Sequence, residues 1–170
     1  MYDGFTELLT EATICVGKQE YLDELIKQYS DFGLIVEKFS GFGDQFLFLY
    51  SDPFSNKPIN FGELRQGVSY EQVRYITPVV QKDGVRKRLK GEVGVEFKKD
   101  LSDQELDDFM SSNNLILKRK GQCTYLFYVS EGDGMKSFEV VEKLKKNELV
   151  EEVNPNFLTY VRRPDMRKTD

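Results

Sequence analysis

Two stretches of this chain carry one pattern of apolar and polar positions. QVRYITPVV (residues 72–80) and LVEEVNPNF (149–157) both run Val, two polar or aromatic residues, an apolar residue, a small polar residue and Pro. Val73 lies 77 residues before Val150, and Pro78 lies 77 before Pro155. The segments before them repeat a pattern too. EATICVG (11–17) alternates as a strand does, and KQEYLDELIKQYSDF (18–32) sets Tyr21, Leu22, Leu25, Ile26 and Tyr29 at helical spacing. GLIVEKFSG and GDQFLFLYSD are β-rich runs on either side of a Gly-containing turn, which predicts a hairpin. INFGELRQGV is short and weakly helical, and YEQVRYITPVV closes the series as a strand. The order is βαββαβ.

The second half gives that order again. GEVGVEFKK predicts a strand. In SDQELDDFMSSN, Ser102 and Glu105 stand in capping-box spacing, with Leu101, Leu106, Phe109 and Met110 as the apolar face of a helix. LILKRKGQCTYLFYVSEGDG predicts a second hairpin. MKSFEVVEKLKKN puts Met135, Phe138, Val141 and Leu144 on one helical stripe, and LVEEVNPNFLTYV is the last strand.

Matching points keep nearly constant offsets. Glu11 to Glu92 and Leu34 to Leu115 are both 81 apart, Leu47 to Leu126 is 79, and the closing strands are 77. Matches that keep their order at nearly one period indicate an internal repeat. The predicted fold class is α+β: two tandem ferredoxin-like βαββαβ units, each a four-stranded antiparallel sheet with two helices on one face. The expected boundaries are a first unit over 1–80, a basic linker over 81–91 kept in solvent by its Lys and Arg, a second unit over 92–161 and a tail over 162–170.

Composition narrows the chemistry. A chain of 170 residues, 39% hydrophobic and 31% charged, is ordinary for a globular protein. There are no histidines, so no Ser-His-Asp or Cys-His site can form, and the purified protein is expected to show no hydrolase activity. Cys15 and Cys123 lack zinc-site spacing and read as two small core thiols, with a disulfide between them as the open alternative. The glycines of GFG (41–43) and EGDG (131–134) read as turns rather than phosphate loops. No metal or cofactor is expected. The net charge of −5 weighs against nucleic acid as a partner, and no apolar run is long enough to span a membrane. The acidic N-terminus lacks the pattern of a signal peptide, so the expected setting is cytoplasmic, or secreted if a leader has been removed.

The second unit carries a more specific pattern. A strand VEF leads to SDQEL, a strand ends in an acidic Gly loop, a helix follows, and the closing stretch sets Asn147, Val150, Glu151, Pro155, Asn156 and Phe157 in order. Residues 92 to about 163 so resemble the N-terminal propeptide of subtilisin-like serine proteases, in particular the fervidolysin-like group. The first unit resembles a degenerate copy. One departure is Asn114, where the family has Gly; Gly33 holds the corresponding place in the first unit.

The resemblance implies a non-catalytic folding helper and inhibitor of a subtilisin-like serine protease, acting in cis before processing or in trans. Its sheet would pack on the enzyme, and its extended C-terminal segment would enter the substrate cleft by strand-like pairing. The implied protease-binding residues are Asn156, Phe157, Leu158, Tyr160, Val161, Arg162 and Arg163. Phe157 would anchor the closing strand. Cleavage at Arg163–Pro164 is disfavoured, because proline has no N–H and a fixed φ. Tandem ferredoxin-like units also serve as small-ligand regulatory modules or as RNA-binding sheets. The RNA reading needs aromatic residues on the open face, and alternation alone leaves YLFYV free to show either Tyr125 and Phe127 or Leu126 and Tyr128 there.

Overall fold

The computed structural model describes residues 4–41, 43–129, 133 and 135–158. The first unit runs β1 (Thr6–Val16), α1 (Leu22–Asp31), β2 (Ile35–Gly41), β3 (Asp44–Tyr50), α2 (Phe61–Arg65) and β4 (Val73–Lys82), followed by a short β5 (Val85–Lys87). The second runs β6 (Leu89–Phe97), α3 (Asp103–Asn113), β7 (Leu115–Lys120), β8 (Thr124–Val129), α4 (Lys136–Leu144) and β9 (Val150–Phe157). The strand orders are β2-β3-β1-β4-β5 and β7-β8-β6-β9, with every pairing antiparallel. Apart from β5, both sheets have the same order, so the chain is two tandem ferredoxin-like units.

The repeated motif has a structural reason. Pro78 pairs with Ala12 and Pro155 with Val93, each at the residue where the ladder resumes after a register shift, Leu8/Ala12 in one sheet and Leu89/Val93 in the other. A proline cannot donate to a ladder, and a break in pairing is where its missing N–H does least harm. A second shift also repeats, at Cys15/Val16 opposite Val73 and at Glu96/Phe97 opposite Val150. The position where Asn114 replaces the expected glycine resolves the same way. Gly33 (φ 81°) and Asn114 (φ 54°), 81 residues apart, are both left-handed just beyond α1 and α3, and Asn is the side chain that tolerates this best.

Each unit fills the space between its sheet and its helices. In the first, Ala12, Ile14, Leu47 and Leu49 meet Leu25 and Tyr29 of α1 and Leu64 of α2. In the second, Val93, Val95, Tyr125 and Phe127 meet Leu106 and Phe109 of α3 and Val141 and Leu144 of α4. The capping box forms as expected: the Ser102 hydroxyl accepts from the Glu105 N–H, and the Glu105 carboxylate accepts from the Ser102 N–H. The stripe on α4 is buried at Phe138, Val141 and Leu144, with Met135 half-buried.

Three expectations need correction. β1 starts at Thr6, before the predicted Glu11. The basic stretch 81–91 is not a solvated linker: Asp83 and Gly84, both at positive φ, turn β4 into β5, β6 begins at Leu89, and Arg88 and Lys90 are buried. Arg88 finds its partners in the first unit and Lys90 faces Glu92 two residues along β6, which hydropathy along the sequence does not register. The cysteines also differ from the reading as two core thiols, since Cys15 is buried, Cys123 is exposed, and both are free.

Candidate functional site

Alternate residues of a strand share a face, and in the stretch entering β6 the face shared by Arg88, Lys90 and Glu92 is charged. The side chains that bond Arg88 belong to the first unit. The Arg88 guanidinium donates to the Ala12 carbonyl (3.0 Å), the Thr13 hydroxyl (3.0 Å) and the Tyr50 hydroxyl (3.1 Å), lies 4.0 Å over the Phe48 ring, and pairs with Glu11. Four positions on, Glu92 is fully buried. Its carboxylate accepts from Lys118 at 2.8 Å and faces Lys90 at 3.4 Å, and Lys118 reaches back to Asp44 at 2.5 Å. Arg88, Lys90 and Lys118 are thus matched by Glu11, Glu92 and Asp44 along a seam where the two sheets face one another.

The rest of the seam is closed by ring and backbone contacts. The Tyr75 hydroxyl donates to the Val129 carbonyl, the Tyr75 and Tyr128 rings lie 6.4 Å apart, and Arg74 sits 4.3 Å over Tyr128. Gly91 has φ +73°, and a Cβ there would lie 2.5 Å from the Tyr75 ring. Gly91→Ala is therefore expected to destabilise by at least the roughly 1–2 kcal/mol that a left-handed L-residue costs, with ring displacement added. A denaturant midpoint at or above that of the native protein would contradict this.

Burial tunes the titrating groups on both faces of the first sheet. Cys15 lies on the seam side, and burial, helped by Asp44, pushes its thiol up to about 12. Burial pushes the Tyr29 phenol on the helix side up to about 12 as well. For Lys118 burial acts downward, but the hydrogen bonds to Asp44 and Glu92 outweigh it and the net shift is upward. The two acids are held neutral in the fold and ionise more readily when unfolded. Their contribution is therefore complete below the ordinary values of 9.0 and 10.0 and is lost as pH rises toward about 12. Urea midpoints are expected to fall steadily above pH 9; a flat profile to pH 12 would contradict the burial of these groups.

The seam covers only part of the second sheet. Tyr128 and Glu92 form one cross-strand row and lie in it. The next row sets Arg119 beside Leu126, Gly94 and Asn154, and the row after it sets Thr124 beside Glu96 and Glu152. Each of these is exposed or half-buried. The alternation left open in YLFYV is decided: Tyr125, Phe127 and Val129 point to the helices, and Leu126 and Tyr128 point away. Tyr128 is the only aromatic of that stretch on the open face and is already stacked, which removes the aromatic platform that an RNA-binding sheet needs.

The expected protease-binding residues divide at the end of β9. Asn156 and Phe157 are half-buried strand residues and Leu158 is buried, its N–H donating to the Arg88 carbonyl at 2.8 Å. The Phe157 ring lies 5.7 Å from that of Phe5, with Lys87 over it at 4.9 Å, so Phe157 is held at its place in the fold. Leu158 is an anchor rather than a residue free to approach a cleft. Tyr160, Val161, Arg162 and Arg163 lie outside the described residues. Sequence reading missed Arg88, Lys90, Glu92 and Lys118; the signal for the first three was their alternation with Leu89, Gly91 and Val93.

Among the described residues no group of three or more His, Cys, Asp and Glu side chains could hold a metal ion, and no helix is long and apolar enough to cross a membrane. One concavity of about 450 Å³ opens beside the first sheet, lined by Glu11, Ile35, Glu37, Tyr50, Asn56 and Arg86 among others. No protein-family model matches the sequence, and no curated protein matches it. Among solved structures the chain is similar to the acetolactate synthase small subunit from Thermotoga maritima, at 12% identity and a TM-score of 0.30, over 86% of this chain and 92% of that one. Nothing about this chain's activity follows from that likeness.

Proposed function

We propose that the chain is a non-catalytic binding module made of two ferredoxin-like units, and that the partner of its second unit is a subtilisin-like serine protease. The observation that supports this reading best is the end of β9. Leu158 is buried and bonded to Arg88, so the end of β9 is a fixed point on the sheet. A segment tethered in that way reaches an extended cleft at a lower entropic cost than a free peptide does. The solvent-facing rows around Leu126 and Gly94 would supply the contact area that a short tail lacks, since a standard interface buries about 800 Å² on each partner.

Inhibition of the subtilisin-like proteases of the source organism tests this, with the full chain compared with residues 1–158, a truncation that keeps the Leu158 anchor. The full chain should inhibit at least about tenfold more tightly, a difference of roughly 1.4 kcal/mol. Equal inhibition by both would remove the tail from the mechanism, and no inhibition by either would remove the protease.

A second reading is a regulatory module for a small ligand. The concavity beside the first sheet favours it, because Glu11, Glu37 and Arg86 bring both charges to one opening. Ligand-induced protection of the first unit in hydrogen exchange, with no binding to proteases, would select it.

A further inference from the structure

The seam between the units mixes buried charge with apolar packing: Cys15, Phe46, Phe48 and Tyr75 of the first unit belong to one buried cluster with the core of the second. Inside the second unit, Phe127 packs among Phe97, Phe109 and Tyr125, ring against ring. Across the seam, by contrast, the ring of Phe48 is covered by the Arg88 guanidinium, and the centre is the chain Lys90, Glu92, Lys118, Asp44. Buried ion pairs add little net stability compared with apolar packing, because desolvation offsets most of their attraction. Separating the two units exposes only the seam, less surface than unfolding either unit, so it is the opening of lower free energy.

The connectivity supplies a hinge. Only Arg88 lies between β5 of the first sheet and β6 of the second. Beside it, Phe5, Val80, Leu89 and Phe138 form a small apolar cluster of their own. β3 runs from Tyr50, which accepts from Arg88, to Asp44, which pairs with Lys118. Those six steps separate hinge from latch by roughly 20 Å at about 3.4 Å per residue. The far end is held by polar and ring contacts: Asp44 with Lys118 and the Tyr128 hydroxyl, the Tyr75 hydroxyl with the Val129 carbonyl, Tyr75 and Arg74 against the Tyr128 ring, and a bridge from Ile76 to Asp133.

We propose that the first unit is a built-in cover over the second unit's sheet, hinged at Arg88 and latched by Asp44–Lys118–Glu92, which swings open with both units still folded and so enlarges the docking face. The role as a cover rests on the docking reading above; the opening itself does not. Because the first sheet hides the Tyr128 and Glu92 row, a partner that uses the whole sheet face must bind the open form better than the closed one.

The protein carries its own reporter. Cys15 faces the seam and is buried, whereas Cys123 is exposed. Reaction with Ellman's reagent in native buffer should show one fast thiol and one slow thiol. The slow rate should depend on urea far less steeply than global unfolding does, which marks an opening that exposes little surface. Asp44→Asn should speed the slow thiol at least about tenfold and leave the fast one unchanged. Tyr75→Phe keeps the ring and loses only the hydroxyl bond, so it should act in the same direction should Asp44→Asn fold poorly. If Cys15 reacts only with the full urea dependence of unfolding, and neither variant changes that, the units do not separate and the proposal is wrong. An active-site-blocked protease at saturation should speed Cys15 further. A protease that binds and leaves Cys15 as slow as before would overturn the cover while leaving the docking reading in place; a protease that fails to bind would overturn the docking reading and the cover with it, whatever the opening rate.

Discussion

Glu92→Ala is expected to destabilise the protein by about 3–5 kcal/mol, although it removes no apolar packing. Glu92 is fully buried, between Lys118 at 2.8 Å and Lys90 at 3.4 Å. Without its carboxylate, Lys90 and Lys118 both lose the Glu92 ion pair, and Lys118 keeps its bond to Asp44. Lys90 is buried, so its ammonium would be left with poor access to water. At about 2–4 °C per kcal/mol for a chain of this size, the melting temperature should fall by roughly 6–20 °C. A change below about 1 kcal/mol in urea unfolding would mean that the cluster is hydrated and the seam already loose.

Phe127→Ala should cost a similar amount for a different reason. Its ring is fully buried and lies 6.4 Å from Phe97, 5.8 Å from Phe109 and 6.2 Å from Tyr125, so truncation leaves a cavity that three rings and two helices cannot close. Large-to-small changes of this kind cost about 3–5 kcal/mol. The two variants separate on thiol chemistry. Glu92→Ala should expose Cys15 at low urea, whereas Phe127→Ala should act mainly through unfolding of the second unit. A Phe127→Ala protein as stable as the native one would place the ring outside the core.

The parts of the fold that were legible in the sequence are those set by local pattern. The Ser102–Glu105 box and the stripe Phe138, Val141, Leu144 depend on residues a few positions apart, and both form where they were expected, whereas β1 begins earlier than its pattern suggested. The repeat was legible for a deeper reason: Pro78 and Pro155 mark the same break in pairing, so backbone geometry left the same residue in both copies. The seam was not legible. Arg88 bonds residues 75 and 76 positions away, and Lys118 bonds Asp44 at 74, so the run VRKRLK looks solvated to any reading along the chain. Of the expected site residues, Phe157 was legible as an anchor because it closes a strand. Leu158 looked like part of a free tail because its burial depends on the Arg88 carbonyl and a core assembled from both units.

Docking of the second unit through its solvent-facing sheet rows is the central proposal. Leu126→Glu tests it most directly. The site lies on the open face, opposite Gly94 on one side and Arg119 on the other, so the new carboxylate meets a cation within the sheet and the fold should tolerate it. Binding of the native chain and of this variant to the organism's active-site-blocked subtilisin-like proteases should be measured by calorimetry, with urea midpoints recorded for both. The native chain should show saturable one-to-one binding, weakened at least about tenfold by Leu126→Glu at nearly unchanged stability. Equal affinity for the two chains, or no binding by the native chain, would contradict it.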